Sequence, residues 1–333
     1  MFKNKLLIAT ISLLLLGYSG LSQALTTVKV GLLKLSSSAP IFIGIEKGFF
    51  EAEGIKVEPV WFKSAQPIAL ATASGDLDVG ATGLTAGLYN SMAQGIKIVI
   101  VADKGREWPG YKLTALMVDK EQGQSAIRHL KDLKGKRVGI TQIGSTFHYI
   151  LGNLLEKQGL TLNDVKAIPL GSLVAMRDTL LSHQIESAFV VQPHVAPLEK
   201  ARSAKVLLWV GDLLPYQIAG IFYGEKFQKD RAAGLSFMKG YVRSCRYYYD
   251  QALAKKKGPS YQEILSLIAK YTEETPESVA LALSYIDRNG ELYSGDIQKQ
   301  LDWYLKNNLL SKSMSASEIT DLSFWKEAVK SLK

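Results

Sequence analysis

Between residues 28 and 210 the chain repeats one pattern. A short apolar run, rich in Val, Ile and Leu, is followed by a turn of small or hydroxyl residues and then by a longer segment with apolar positions at helical spacing. The runs at 28–33, 57–62, 76–82, 96–102, 113–119, 138–141, 167–170, 188–191 and 206–210 have strand length, and helices are expected at 41–47, 67–74, 85–94, 149–155 and 173–183. Strands alternating with helices predict βαβ units and a mostly parallel sheet flanked by helices. Turns that follow the strands then share the carboxyl edge of the sheet, where ligands bind in open α/β folds. From residue 230 onward the pattern is helical throughout.

The stretch Val-Gly-Ile-Thr-Gln-Ile-Gly-Ser-Thr-Phe-His at 138–148 is the most informative turn. Its strand ends at Thr141, Gln142 to Gly144 turn the chain, and Ser145 or Thr146 can cap the helix that follows. Such a turn aims unpaired backbone N–H groups and the positive end of a helix dipole at one point, a seat for an anion or a strongly polar group. The spacing from Gly139 to Gly144 nearly matches a nucleotide-binding P-loop, but Ser145 stands where that motif requires lysine, so nucleotide hydrolysis is rejected.

The same plan occurs twice. A shift of 108 positions lays Val30-Gly31 on Val138-Gly139, Ser36-Ser37-Ser38 on Gly144-Ser145-Thr146, and Ser74-Gly75-Asp76-Leu77-Asp78 on Ser182-His183-Gln184-Ile185-Glu186. A repeat of this length predicts two similarly built α/β lobes. In the first copy the turns around Ser37, Ser64 and Gly83 fall on one sheet edge. In the second, the turns at Ser145 and at Gly171-Ser172 do so. Residues 103–111 are polar, turn-rich and aromatic, and are expected to carry the chain between the lobes.

Composition adjusts this picture at the amino terminus. Lys3 and Lys5 precede an apolar run over 6–16, and Ser22-Gln23-Ala24 closes the segment with small residues at −3 and −1, the form of a secretory signal peptide cleaved after Ala24. No later apolar run reaches the about 18 residues of a membrane span. Net charge is +9, falling to +7 without Lys3 and Lys5. That basicity suits an anionic ligand, whereas its scatter and the expected export argue against nucleic acid. Cys245 is the single cysteine, so an intrachain disulfide and a cysteine-based metal site are excluded. His129, His148, His183 and His194 fit no metal-ligand spacing, and only His148 and His194 fall near the expected cleft. Ser145 lacks the Gly-x-Ser-x-Gly setting of a serine nucleophile. No cofactor or metal is therefore expected.

Glu46-Lys47-Gly48-Phe49-Phe50, Glu53-Gly54-Ile55-Lys56-Val57-Glu58, Ser74-Gly75-Asp76-Leu77-Asp78 and Leu133-Lys134-Gly135-Lys136-Arg137-Val138 together resemble the solute-binding proteins of nitrate, sulfonate, taurine and thiamin-precursor ABC importers. The resemblance is in register from about residue 28 to 200. It implies a two-lobed periplasmic-binding-protein fold (type II) with a hinged cleft. Lobe 1 would comprise 25–103 with 221–333, lobe 2 would comprise 113–208, and 104–112 and 209–220 would be the crossings. It also implies a monomer in the periplasm that hands a small anionic or polar organic solute to a membrane permease and its ATPase, without catalysis. The expected ligand contacts are Ser36, Ser37, Ser38, Ser64, Thr82 and Gly83 from one lobe, and Gln142, Gly144, Ser145, Thr146, His148 and Gly171 from the other, with Lys63 or Arg106 supplying positive charge. The resemblance adds the turn Gln192-Pro193-His194, where Gln192 replaces an acidic or aromatic residue and so disfavours a cationic amine. Two rivals share the fold: an enzyme like the fungal thiamin-pyrimidine synthases, whose site is rich in cysteine, and an exported ligand sensor.

Overall fold

The computed structural model describes residues 24–121 and 127–332. The signal peptide expected at 1–24 lies, apart from Ala24, outside the described residues.

Two five-stranded sheets carry the chain. The strands, in chain order, are β1 (Thr26–Leu32), β2 (Ile55–Trp61), β3 (Val79–Gly83), β4 (Val99–Glu107), β5 (Thr114–Asp119), β6 (Arg137–Ile140), β7 (Lys166–Pro169), β8 (Ser187–Val191), β9 (Ala204–Trp209) and β10 (Tyr216–Tyr223). The first sheet has the order β2-β1-β3-β10-β4 and the second β7-β6-β8-β5-β9. In each, the fourth position holds a strand antiparallel to both neighbours, β10 in one and β5 in the other. The remaining pairings are parallel. The 108-residue offset maps β3 onto β8 residue for residue, and the two sheets have the same plan.

Five helices start at the carboxyl edges of these sheets: α1 (Ala39–Glu46), α2 (Ala65–Ser74), α3 (Ala86–Ala93), α4 (Thr146–Glu156) and α5 (Leu173–Leu181). Local chemistry sets their starts. Pro40 occupies the first turn of α1, Thr85 caps α3 by accepting from the Leu88 N–H, and Ser145 caps α4 by accepting from the His148 N–H. Cys245, Tyr241 and Tyr248 are buried in the core that joins the outer face of the first sheet to helices Arg231–Tyr248 and Tyr261–Thr272. A second core runs between the lobes and includes helix Ser294–Lys306. A smaller one covers the outer face of the second sheet.

One boundary differs from expectation. Residues 103–107, assigned from their polarity to the crossing, extend β4 to Glu107. The first polar side chain of this run is satisfied by partners inside the protein. Asp103 accepts from the N–H groups of Gly105 and Asp287 and from Gln217 Nε2. On the return side, residues from Tyr216 belong to β10, so strand structure reaches into both of the expected crossings.

Candidate functional site

Where the carboxyl edges of the two sheets face each other they enclose a cavity of about 50 Å³. That is room for several waters, or for a head group of few atoms. Its walls come from turns that the sequence pattern places at one level: Ser37 after β1, Ser64 and Ala65 opening α2, Thr82 and Gly83 ending β3, Ser145 and Thr146 opening α4, and Leu173 opening α5. The antiparallel strands contribute their entries, Leu113 ahead of β5 and Ile218 with Ala219 in β10.

The polar side chains are arranged for an acceptor-rich guest. Ser64 precedes α2 in extended conformation without capping it, which leaves its hydroxyl and the first N–H groups of that helix directed to the gap. The buried hydroxyl of Thr82 has no hydrogen-bond partner among the described residues. An unpartnered buried hydroxyl carries a desolvation cost of about 1–3 kcal/mol, which a bound solute would relieve.

The charge comes from a residue that pattern analysis missed. Lys104 is 2% exposed, and its Nζ donates to Ser37 Oγ at 2.8 Å. Burial pulls its pKa down to about 7, against a weaker opposing pull from Asp103. A β-bulge brings it here: Ala219 pairs with Gly105 and the next residue, Gly220, pairs with Asp103, so Lys104 is the extra residue between them.

The two residues expected to carry charge do not line the cavity. Lys63 is exposed beside Ser64, where its ammonium keeps its water. Arg106 is held at 3.3 Å by Asp103, donates to the Glu291 carbonyl, and packs among the rings of Trp108, Tyr285 and Tyr293.

Of the other expected contacts, Ser37, Ser64, Thr82, Gly83, Ser145 and Thr146 line the cavity, and the rest do not. Ser36 is fully buried beside it, and Ser38 Oγ donates to the Leu33 carbonyl. Gln142 and Gly144 act across the gap instead. Gln142 Nε2 donates to Ser64 Oγ at 3.3 Å, and the Gly144 carbonyl accepts from the Ala86 N–H at 2.9 Å. His148 faces away. Its Nδ1 accepts from the Gly144 N–H at 3.1 Å, burial lowers its pKa, and its ring meets Trp303 edge-on. It shapes the turn and does not line the cavity. Gly171 is exposed, with its N–H donating to the Thr141 carbonyl. Gln192 is buried behind Val191, its N–H donating to the Leu113 carbonyl.

Helix Ser294–Lys306 bridges the lobes at the back of the cleft. Tyr304 Oη donates toward the carbonyls of Leu84 and Ser145 at 3.5 and 3.4 Å, and Lys306 pairs with Glu156 at 3.1 Å. The Trp303 ring lies against Gly152 of α4, so close that a Cβ there would fall 2.2 Å from it. With these contacts made, the lobes are closed on each other.

A sequence profile of the NMT1-like family matches residues 22–257. The chain belongs to that family. The NMT1-like chain is 25% identical over 94% of its length to a putative aliphatic sulfonates-binding protein of Bacillus subtilis, covering 91% of that protein. It superposes on the alkanesulfonate-binding protein of Xanthomonas axonopodis pv. citri bound to MOPS with a TM-score of 0.71. That match has 20% identity and covers 89% of this chain and 98% of the other, a likeness of fold. A 4-amino-5-hydroxymethyl-2-methylpyrimidine phosphate synthase of Schizosaccharomyces pombe is 28% identical over 41% of the NMT1-like chain and 36% of its own length. Relatives of this chain thus include a putative sulfonate-binding protein and, over a shorter stretch, a synthase, and the fold is that of periplasmic binding proteins. Among the described residues no helix is long and apolar enough to cross a membrane.

Proposed function

We propose that this chain is the exported solute-capturing component of an ABC importer, and that it closes on a small organic anion. The lobes would move about the two crossings, lobe 1 formed by the residues before the first crossing and after the second, lobe 2 by those between. The observation that carries this reading is the cavity in which Lys104, the hydroxyls of Ser37, Ser64 and Thr82, and the amino-terminal ends of α2 and α4 converge from both lobes.

A sulfonate or carboxylate head would accept from these donors. A short hydrocarbon tail would lie against Leu113, Phe147, Leu173 and Val191, which line the same space. Hydrogen bonds to a charged group contribute about 1.5–3 kcal/mol each, so about five are enough for micromolar affinity after ordering costs. The solute would pass to a permease and ATPase, with the protein acting as a periplasmic monomer. Capture without catalysis is supported by the lining: Lys104 is its one ionisable side chain among the described residues, whereas acid–base catalysis works through pairs of tuned titratable groups.

The test is a thermal-shift screen with methanesulfonate, butanesulfonate, taurine, butyrate and nitrate. At 100 times its dissociation constant a true ligand adds about 2.7 kcal/mol of stability. A clear rise in Tm with at least one of these anions is expected. No rise with any of them would overturn the reading.

A further inference from the structure

The cavity holds a charge problem that the rest of the chain does not solve. Lys104 carries three potential donors and has one acceptor, the Ser37 hydroxyl. No carboxylate among the described residues forms an ion pair with it. The adjacent Asp103, which acts on it electrostatically, is on the same strand and is engaged by Arg106, Gln217 and the N–H groups of Gly105 and Asp287. Apart from Lys104, the side chains that line the cavity carry only hydroxyls and apolar groups, and none is a carboxylate. An ammonium group in such a place is strongly disfavoured unless a counter-charge arrives. With the lobes apart, the same group would face water in the open cleft and carry its ordinary charge.

We propose that Lys104 makes closure conditional on an anion: sealing the empty cleft strips its ammonium of water without a counter-ion, and an anionic head group supplies the missing charge. The residue therefore does more than add affinity. It keeps the empty protein open and rejects neutral solutes of the same shape, so that closure reports a filled site. This rests on the anion-capture reading above, and it assigns to one side chain both the selection of charge and the coupling of binding to movement.

A pH signature follows from the geometry. Burial lowers the Lys104 pKa to about 7 in the closed form, so the closed form binds fewer protons than the open one above that pH. Rising pH therefore favours closing of the empty protein, by about tenfold per pH unit from near 7 towards the ordinary lysine value. Glu107, buried where β4 leaves lobe 1, has a pKa raised to about 8; its ionisation acts in the opposite direction if opening exposes it. The pH series accordingly uses Glu107→Gln as background.

The experiment is small-angle scattering of the protein at pH 6, empty, with saturating methanesulfonate, and with its neutral isostere dimethyl sulfone. Methanesulfonate is expected to compact the wild type and dimethyl sulfone to leave it extended. Lys104→Met, without any additive, should be as compact as the anion-bound wild type. The proposal is overturned if empty Lys104→Met matches the empty wild type, if the empty wild type is already compact at pH 6, or if dimethyl sulfone compacts it. Should Lys104→Met not fold, the Glu107→Gln protein decides: compaction between pH 6 and pH 9 supports the gate, and an unchanged radius of gyration overturns it. A failure of every anion to bind would fall on the capture reading, because the two empty-protein comparisons judge the gate by themselves.

Discussion

Replacing Gly144 by alanine separates the strain of a turn from the fit between lobes. Gly144 holds φ at +77°, the left-handed region, in which an alanine costs about 1–2 kcal/mol. That cost is present whether the lobes are open or closed. A Cβ at Gly144 would also lie 2.9 Å from the Cβ of Ala86 on the opposite lobe, closer than such atoms approach. This overlap exists only in the closed form, and overpacking of this kind costs about 1–3 kcal/mol. Gly144→Ala is thus expected to lower the unfolding free energy of the empty protein by about 1–2 kcal/mol, measured by urea denaturation. Separately, it should weaken binding by about 5- to 150-fold, measured by titration calorimetry with the anion giving the largest thermal shift. Removing the opposing methyl distinguishes the two effects. In the double variant with Ala86→Gly, affinity should recover to within about threefold of wild type, while the stability loss persists. Wild-type affinity in the single variant, or no recovery in the double, would refute the claim that these two turns meet on closing.

Combining Ser37→Ala with Ser145→Ala removes the hydroxyl that holds Lys104 and the cap of α4, one from each lobe. The anion-induced thermal shift should vanish, with a loss of about 1 kcal/mol in the empty protein from the missing cap; an undiminished shift would place binding elsewhere. Glu107 makes stability depend on pH. Its folded pKa of about 8 lies above the ordinary value of 4.5 because it is fully buried, so the native state holds a proton that the unfolded state has lost. Stability should therefore fall as pH rises from about 4.5 to about 8, by at most about 1.4 kcal/mol per unit from this group. Urea denaturation across that range checks the slope, and Glu107→Gln should flatten it.

What the sequence discloses is set by how local the cause is. Ser145 was legible as a cap because the N–H it accepts from lies three residues away. The repeat was legible because strand and helix periods survive divergence. It even pairs Gly75 with His183, and both hold left-handed backbone at the end of a helix, with φ of +85° and +58°. Lys104 was not legible. Its direction depends on a bulge created by pairing with β10, more than a hundred residues later in the chain, and periodicity along β4 cannot register an inserted residue. Arg106 misled for the converse reason. It looked like a free cation, but Asp103, the nearby Trp108 and the rings of Tyr285 and Tyr293 from the carboxyl-terminal third already enclose it. The polar run 103–107 suggested a loop because its partners Gln217 and Asp287 are remote in sequence.

The nesting of the strands bears on the order of assembly. All five strands of lobe 2 lie between Thr114 and Trp209, whereas β4 joins its own sheet only through β10. As the chain is delivered from its amino terminus, the domain begun first is completed last. The inner domain also prepares that completion. Pairing of β5 with β9 sets Ala115 opposite Trp209, which draws the ends of the insertion together and presents β10 to the waiting edge of β4.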